Sequence, residues 1–234
     1  MSAQQACGAM QRGIQKVIPD AYIIQVPMAD GGEGTVDALI SSLRGQQIPC
    51  EVTGPLFEQR IHTYWGLMDA GQTAVIEMAK ANGIHLLPPS QRNPMFTSTY
   101  GTGEMIKQAL DLGVKKIIIG LGGSITNDAG AGMAQALGVR FLNHVGEPIQ
   151  VCGGNLDLVK SMDLSGLDPR LADTEIIIAS DVNNPLCGPH GASIIFGPQK
   201  GAMPEMVKQL DQNLGHFADV AARQIGHDHR HVAG

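Results

Sequence analysis

The sequence predicts an α/β fold, and two observations carry this prediction. Two short apolar runs, Lys115–Gly120 and Glu175–Ser180, have the length and the isoleucine content of buried strands. Segments with the helical spacing of apolar residues lie before, between and after these runs. Strands that alternate with helices favour a sheet that is at least partly parallel, because parallel strands need a long crossover connection.

The composition is that of a folded globular chain. Of 234 residues, 43% are hydrophobic and 16% are charged, which is too apolar for a disordered protein. The 30 glycines follow no Gly-X-Y period, so we expect them in turns and where backbones approach closely.

Charge and hydropathy disfavour several classes of partner. The net charge is −6 and no cluster of lysine and arginine occurs, so nucleic acid is not expected as a partner. No apolar run reaches the roughly 18 residues of a membrane span, and the first residues lack the apolar centre of a signal peptide. We expect a cytoplasmic protein with free thiols rather than disulfides at its four scattered cysteines, Cys7, Cys50, Cys152 and Cys187.

The N-terminal part of the chain predicts a helix, a strand, a turn and a second helix. Ser2–Ile18 is the first helix, with Ser2 as its N-cap. Ala21–Met28 has the pattern of a strand, which Pro27 limits to an end or an edge of a sheet. Asp30–Gly32 is a turn, and Glu33–Leu43 is a helix with an acidic residue in its first turn.

The rest of the chain begins with alternating strands and continues with alternating helices and strands. The predicted strands are Pro49–Thr53, Arg60–Leu67, Thr73–Ala79, Lys115–Gly120 and Glu175–Ser180. The predicted helices are Gly103–Leu112, Asn127–Leu137 and Met206–Arg223.

The chemistry is expected in the loops that follow the strands. Open α/β sheets bind ligands beyond the carboxyl ends of their strands. The segments at these ends are Asp30–Thr35 (DGGEGT), Leu121–Asp128 (LGGSITND) and Asp181–Gly188 (DVNNPLCG). Each combines glycine, which lets a backbone approach an anion, with a carboxylate, which tolerates an anion only if a cation lies between them. The pattern favours a Mg²⁺–nucleotide phosphate site.

Each carboxylate also has a plain structural interpretation. Asp30 and Asp128 are placed where turn and N-cap residues usually occur. Asp181 precedes Asn183 and Pro185 and could begin an Asx turn. Generic spacing does not decide between these roles and ligand binding.

Named nucleotide motifs are absent or incomplete. GxxxxGK[ST] does not occur, which excludes a P-loop. Gly120-Leu121-Gly122 begins like a dinucleotide fingerprint, but Ile125 stands where the third glycine belongs. A hydride-transferring Rossmann enzyme is therefore disfavoured.

A resemblance to a known family is more specific than the generic pattern. The motifs are MADGGEGT (28–35), TGPL (53–56), GTGE (101–104), GLGGSITNDAGAGMAQAL (120–137), DVNNPLCG (181–188) and FGPQKGA (196–202). In this order they resemble the bacterial glycerate kinase family. The resemblance implies ATP-dependent phosphorylation of (R)-glycerate to 2-phosphoglycerate with Mg²⁺, and two α/β domains, one inserted in the other, with the active site in the cleft between them.

The resemblance also implies a domain organisation in which this chain is a fragment truncated at both ends. Residues 1–46 would be an incomplete piece of a Rossmann-like nucleotide-fold domain, 47–226 the inserted α/β domain and 227–234 a tail. Apolar surface is then expected to be exposed on residues 1–46, and a homodimer could result. Small departures from the family pattern occur at Phe57, Ile125 and Ala129.

The resemblance implies site roles as well. Phosphate or the substrate carboxylate would be held by Gly122, Gly123, Ser124, Thr126 and Asn127. Asp181 would be the general base or a Mg²⁺ ligand, and Asp30 and Asp128 would bind the metal or orient the substrate. Lys200 would neutralise charge on the transferred phosphoryl group, the alternative being a solvated lysine in a turn.

Two interpretations stay open beside a kinase. The chain could bind a nucleotide or a carboxylate without catalysis, for which its shortness relative to the family is an argument. His227, His229 and His231 could bind a transition metal, although a frayed tail is favoured.

Overall fold

The computed structural model describes residues 3–28 and 31–232 and confirms the mixed α/β class. The helices are α1 (Ala3–Gln15), α2 (Thr35–Leu43), α3 (Ala79–Asn82), α4 (Tyr100–Asp111), α5 (Ala131–Ala136), α6 (Ala192–Phe196) and α7 (Pro204–Ile225). The strands are β1 (Gln46–Thr53), β2 (Arg60–Met68), β3 (Thr73–Glu77), β4 (Lys116–Gly120), β5 (Arg140–Leu142), β6 (Ser161–Asp163) and β7 (Glu175–Ala179).

One five-stranded sheet organises the molecule. Its order is β1-β2-β3-β4-β7, with antiparallel pairing from β1 to β3 and parallel pairing among β3, β4 and β7. The register pairs Glu77 with Gly120 and Gly120 with Ala179. The carboxyl ends of the three parallel strands therefore meet at one edge of the sheet.

Helices cover the sheet on two faces. On one face α4 packs against β1 and β3 over a core that includes Trp65, Ile76, Met105 and Ile117, all fully buried. On the other face α2 places the buried Val36 against β2 and β3. A second core lies under α7, against the two-stranded β5-β6 sheet.

The structure does not form the predicted strand Ala21–Met28. The segment has no regular secondary structure and alternates between half-buried and exposed residues, and the side chain of Gln25 bonds to those of Gln4 and Gln11 on α1. No strand among the described residues pairs with it, and an extended segment becomes a strand only through the hydrogen bonds of a neighbour. Its outer face exposes the apolar side chains of Tyr22, Ile24, Val26 and Met28. Residues 1–46 thus expose apolar surface, as predicted.

The strand predicted at Glu175–Ser180 is present, but it is not buried. β7 is the last strand of the sheet, and the side chains of Ile176, Ile177 and Ile178 are 42%, 38% and 48% exposed. A run of isoleucines predicts an apolar strand, but it does not predict whether that strand lies at the centre or at the edge of the sheet.

The helix predicted to begin at Asn127 begins at Ala131 instead. Ala129 and Gly130 have φ of 50° and 72°, in the left-handed region, so the backbone turns sharply before the helix starts. Residues 121–130 thus remain a loop at the carboxyl end of β4.

The packing of α2 bears on the predicted domain organisation. This helix lies in the segment assigned to the incomplete domain, yet it packs on the five-stranded sheet. The division at residue 46 stays a prediction.

Within 3–28 and 31–232, no helix combines the length and apolar character needed to cross a membrane. The four cysteines are free thiols, as predicted.

Candidate functional site

The loop that follows β4 and the last residue of β7 meet the glycine turn that precedes α2. The amide of Gly122 donates to the carbonyl of Gly31 at 3.2 Å, and the amide of Leu121 donates to the carbonyl of Ala179 at 3.3 Å. Contact is so close that a Cβ on Gly122 would lie 2.7 Å from the Cα of Gly32. Glycine at these positions lets three backbones pack together at the edge of the sheet.

A lysine from a distant part of the chain reaches the loop after β4. Lys200 ends a single 3-10 turn over Pro198–Lys200, just beyond α6. Its Nζ donates to Ser124 Oγ at 3.1 Å and to the carbonyl of Thr126. Burial lowers the pKa of this ammonium to about 8, and the charge of Asp128 partly opposes that shift. Lys200 is therefore not a freely solvated turn lysine.

Unused backbone donors lie beside this ammonium. Among the described residues, the amides of Gly123 and Ser124 have no hydrogen-bond acceptor. Gly123 is exposed and has φ of 75°, a conformation that suits glycine. Consecutive free amides next to a cation form a concavity suited to an anion.

The anion donors predicted from the sequence are only partly available. The amide of Gly122 is used by Gly31, so it does not point at a ligand. The carbonyl of Thr126 accepts from Lys200, and the side-chain oxygen of Asn127 accepts from Ser193 Oγ at 3.2 Å. Thr126 and Asn127 are buried and shape the loop from inside.

Asp128 is enclosed by the fold. Its Oδ2 accepts from Thr99 N at 2.8 Å, Thr99 Oγ1 at 2.8 Å and Gly132 N at 3.2 Å, and its Oδ1 accepts from Gly130 N at 3.3 Å. The residue is 2% exposed, and burial raises the pKa of its carboxyl against the effect of these donors. This geometry favours the alternative interpretation, in which Asp128 organises the start of α5.

The other two carboxylates have different placements. Asp181 is exposed, two residues beyond β7, while Asp30 lies outside the described residues. No group of three or more histidine, cysteine, aspartate or glutamate side chains in 3–28 and 31–232 could hold a metal ion. Asp128 does not fit a Mg²⁺ site, because four donors already surround its carboxylate, whereas the Mg²⁺ role of Asp181 stays a prediction.

Sequence reasoning missed two buried polar residues that support this edge. Glu77 ends β3 and accepts from the amides of Gly34 and Val36 at the start of α2. Asn82 binds the carbonyl of Ser98 at 2.9 Å and accepts from Thr102 Oγ1 at 2.6 Å. The one available signal was a carboxylate at the end of an otherwise apolar strand, TAVIE.

Two of the sequence motifs, TGPL and GTGE, contact each other. Thr53 of TGPL donates its amide to Glu104 of GTGE at 2.5 Å, and Ser98 donates to the carbonyl of Pro55 at 3.0 Å. A side chain on Gly101 would collide with the carbonyl of Thr53. These motifs hold β1 against α4, behind the loop that carries Ser124.

The histidine tail is tied down rather than frayed. Arg230 forms ion pairs with Asp219 on α7 and with Asp228, and its carbonyl accepts from the amide of Leu186 at 3.0 Å. The rings of His227 and His229 are tilted by 52° to one another, with their centroids 6.2 Å apart. In the part of the tail that the structure describes, these histidines join no metal-binding group.

Two cavities of the described structure lie away from this site. A cavity of about 380 Å³ is bounded by Leu137 and Arg170, and another of about 450 Å³ by Phe57 and Cys152. Neither Ser124 nor Lys200 lines them.

Comparison with known proteins gives one consistent answer. The glycerate kinase family model matches residues 1–234. Glycerate kinase from Haemophilus influenzae is 53% identical over 234 residues, and glycerate 2-kinase from Escherichia coli K12 is 48% identical over the same length. A crystal structure assigned to glycerate kinase 2 of Salmonella typhimurium LT2 matches with a TM-score of 0.89 and 47% identity.

The matches cover the whole of this chain but only part of each relative. The matches include 100% of this chain but only 62% of the Haemophilus protein, 61% of the Escherichia protein and 62% of the Salmonella structure. The chain thus spans about three fifths of the length of its relatives. A family match over every residue, together with the shared fold, shows that this chain belongs to the glycerate kinase family.

Proposed function

We propose that this chain provides the anion-binding side of a glycerate 2-kinase active site. In the reaction, the C2 hydroxyl of (R)-glycerate attacks the γ-phosphorus of ATP, the bond to the ADP oxygen breaks, and 2-phosphoglycerate forms. Mg²⁺ would enter as the complex with ATP, where it offsets phosphate charge.

The observation that carries the proposal is the group formed by Lys200, Ser124 and Gly123. An ammonium within hydrogen-bond reach of a serine hydroxyl, beside two free amides, matches the charge and donor geometry of a phosphoryl group or a carboxylate. Lys200 is half-buried, so its charge acts through less water than a surface lysine would allow.

The remaining roles follow from accessibility. Asp181 is exposed beyond β7 and can receive the proton of the glycerate hydroxyl as a general base. Asp30 precedes Gly31 in the sequence, and we assign it to orienting the substrate or the metal–nucleotide complex. Asp128 supports the loop instead of touching a ligand.

A direct assay tests the proposal. The chain is incubated with ATP, MgCl₂ and (R)-glycerate, ADP is measured by a coupled assay, and the phosphorylated position is read by ³¹P NMR. Formation of 2-phosphoglycerate that depends on Lys200, but not on the exposed Lys208 of α7, supports the kinase. Formation of 3-phosphoglycerate would overturn the product assignment.

Binding without catalysis is the second candidate function. It is supported by the same group of Lys200, Ser124 and Gly123, because an ammonium beside two free amides can hold an anion without any further catalytic group. Calorimetry that detects ATP binding, with no ADP released above a buffer control, would support this alternative over the kinase.

A further inference from the structure

Glu77 is a buried carboxylate that none of the roles above uses. It is the last residue of β3, at the carboxyl edge of the sheet, and is 0% exposed. A buried carboxylate is costly unless hydrogen bonds satisfy it. Its two oxygens accept from two amides of a different element, Gly34 N at 2.8 Å and Val36 N at 3.1 Å.

These two amides belong to the start of α2, which has no cap of its own. The residue at the N-cap position is Gly34, with φ of 97° and no side chain to accept from the first turn. A helix begins with amides that lack an intrahelical acceptor. Glu77 provides that acceptor from 43 residues along the chain, as measured to Gly34.

The turn that Glu77 fixes is the one that contacts the anion site. Thr35 Oγ1 closes the turn by accepting from Gly31 N at 3.1 Å and donating to the carbonyl of Gly32 at 2.8 Å. The carbonyl of Gly31 then accepts from Gly122 N at 3.2 Å. Gly122 directly precedes Gly123 and Ser124, so a continuous series of contacts joins Glu77 to the free amides.

We propose that Glu77 is a positioning residue, which holds the turn at residues 31–34 against Gly122 and thereby sets the geometry of the Gly123–Ser124 amides for an anionic ligand. The inference rests on the proposed function for the identity of that ligand. It needs no contact between Glu77 and the ligand.

The test replaces Glu77 with glutamine, which keeps the shape but turns one acceptor into an NH₂ group that faces an amide. Asp37→Asn is the matched control, because Asp37 is on the same helix and its bonds to Tyr64 Oη, at 2.8 and 2.9 Å, do not involve the turn. ATP affinity is measured by calorimetry, and the ¹H–¹⁵N signal and exchange rate of the Gly122 amide are measured by NMR.

Glu77→Gln is expected to weaken ATP binding by roughly tenfold or more, because a small misplacement of binding groups has effects of this size. It is also expected to shift the ¹H–¹⁵N signal of the Gly122 amide and to make that amide exchange faster. Asp37→Asn is expected to change neither. Unchanged affinity and an unchanged Gly122 signal in Glu77→Gln would overturn the proposal, and so would equal effects of both variants.

Two further arms keep the test decisive. If Glu77→Gln does not fold, Thr35→Val loosens the same turn from its other side and must reproduce the affinity loss and the Gly122 shift. If the unaltered chain binds no ATP, the proposed function fails for this chain. The Gly122 signal alone then decides whether Glu77 positions the turn.

Discussion

Replacing Lys200 with methionine gives the sharpest test of the candidate site. Methionine keeps most of the length of the side chain and removes the ammonium that bonds to Ser124 and Thr126. We expect the variant to bind ATP weakly, because a hydrogen bond to a charged group contributes about 1.5–3 kcal/mol, or roughly 10- to 150-fold in Kd.

The structure also predicts what the same change does to stability. Lowering the pKa of Lys200 from 10.5 to about 8 corresponds to roughly 3 kcal/mol of unfavourable burial of its charge. Leaving the Thr126 carbonyl without its donor costs about 1–3 kcal/mol. The free energy of unfolding should therefore stay unchanged or rise by up to about 2 kcal/mol. Lost binding would then not reflect lost structure.

The pH dependence follows from the same pKa. The ammonium is lost as pH rises through about 8, so ATP affinity of the unaltered chain should fall there, and Lys200→Met should show no such fall. Stability moves in the opposite direction. The folded pKa is below the ordinary value of 10.5, so the unfolded chain binds more protons between about 8 and 10.5, and stability rises with pH in that window.

Calorimetric titration with ATP from pH 6.5 to 9.5 and urea unfolding followed by the fluorescence of the buried Trp65 measure both quantities. Lys208→Met, on the exposed face of α7, is the matched control and should leave both unchanged. The reasoning is refuted if Lys200→Met binds ATP as tightly as the unaltered chain, or if it loses binding only in proportion to lost stability.

Three further changes test the fold around the site. Gly101→Ala should destabilise the chain by about 1–3 kcal/mol in urea unfolding, because the added Cβ would meet the Thr53 carbonyl. Gly13→Ala is the control and should be neutral or stabilising, because Gly13 has open space around it on α1. Equal effects of the two variants would contradict the packing at Gly101. Asp128→Ala should lower the free energy of unfolding by at least about 2 kcal/mol, because it leaves buried hydrogen-bond donors without an acceptor. A variant that kept its stability and lost only metal-dependent activity would instead support Asp128 as a metal ligand. Sedimentation velocity should show concentration-dependent association that Ile24→Lys reduces, as Ile24 is 70% exposed, and a monomer at every concentration would argue against self-association.

Local patterns predicted most elements and failed where a neighbour decides the outcome. Alternation located β1, β2 and β3 to within a few residues, since side chains in a strand face opposite sides regardless of context. The same alternation at 21–28 produced no strand, because no partner strand lies beside it among the described residues. Burial of β7 was predicted from its isoleucines and proved wrong, because position in a sheet is not encoded in one strand.

The candidate site was likewise predicted in part from local patterns. Glycine spacing and strand order were enough to indicate that loops meet at a carboxyl edge and that Gly123 and Ser124 lie there. The pattern could not show that Asp128 faces inward, since the same residue type caps helices and binds metals.

The sequence by itself determined the α/β class, the family motifs and the glycines on which the close packing of loops depends. Only the tertiary structure decided which groups remain free for a ligand. The contacts that settle this join Lys200 to Ser124 across 76 residues and Glu77 to Gly34 across 43. Hydrogen-bond partners so far apart are set by how strands and helices pack, and local spacing carries no record of them.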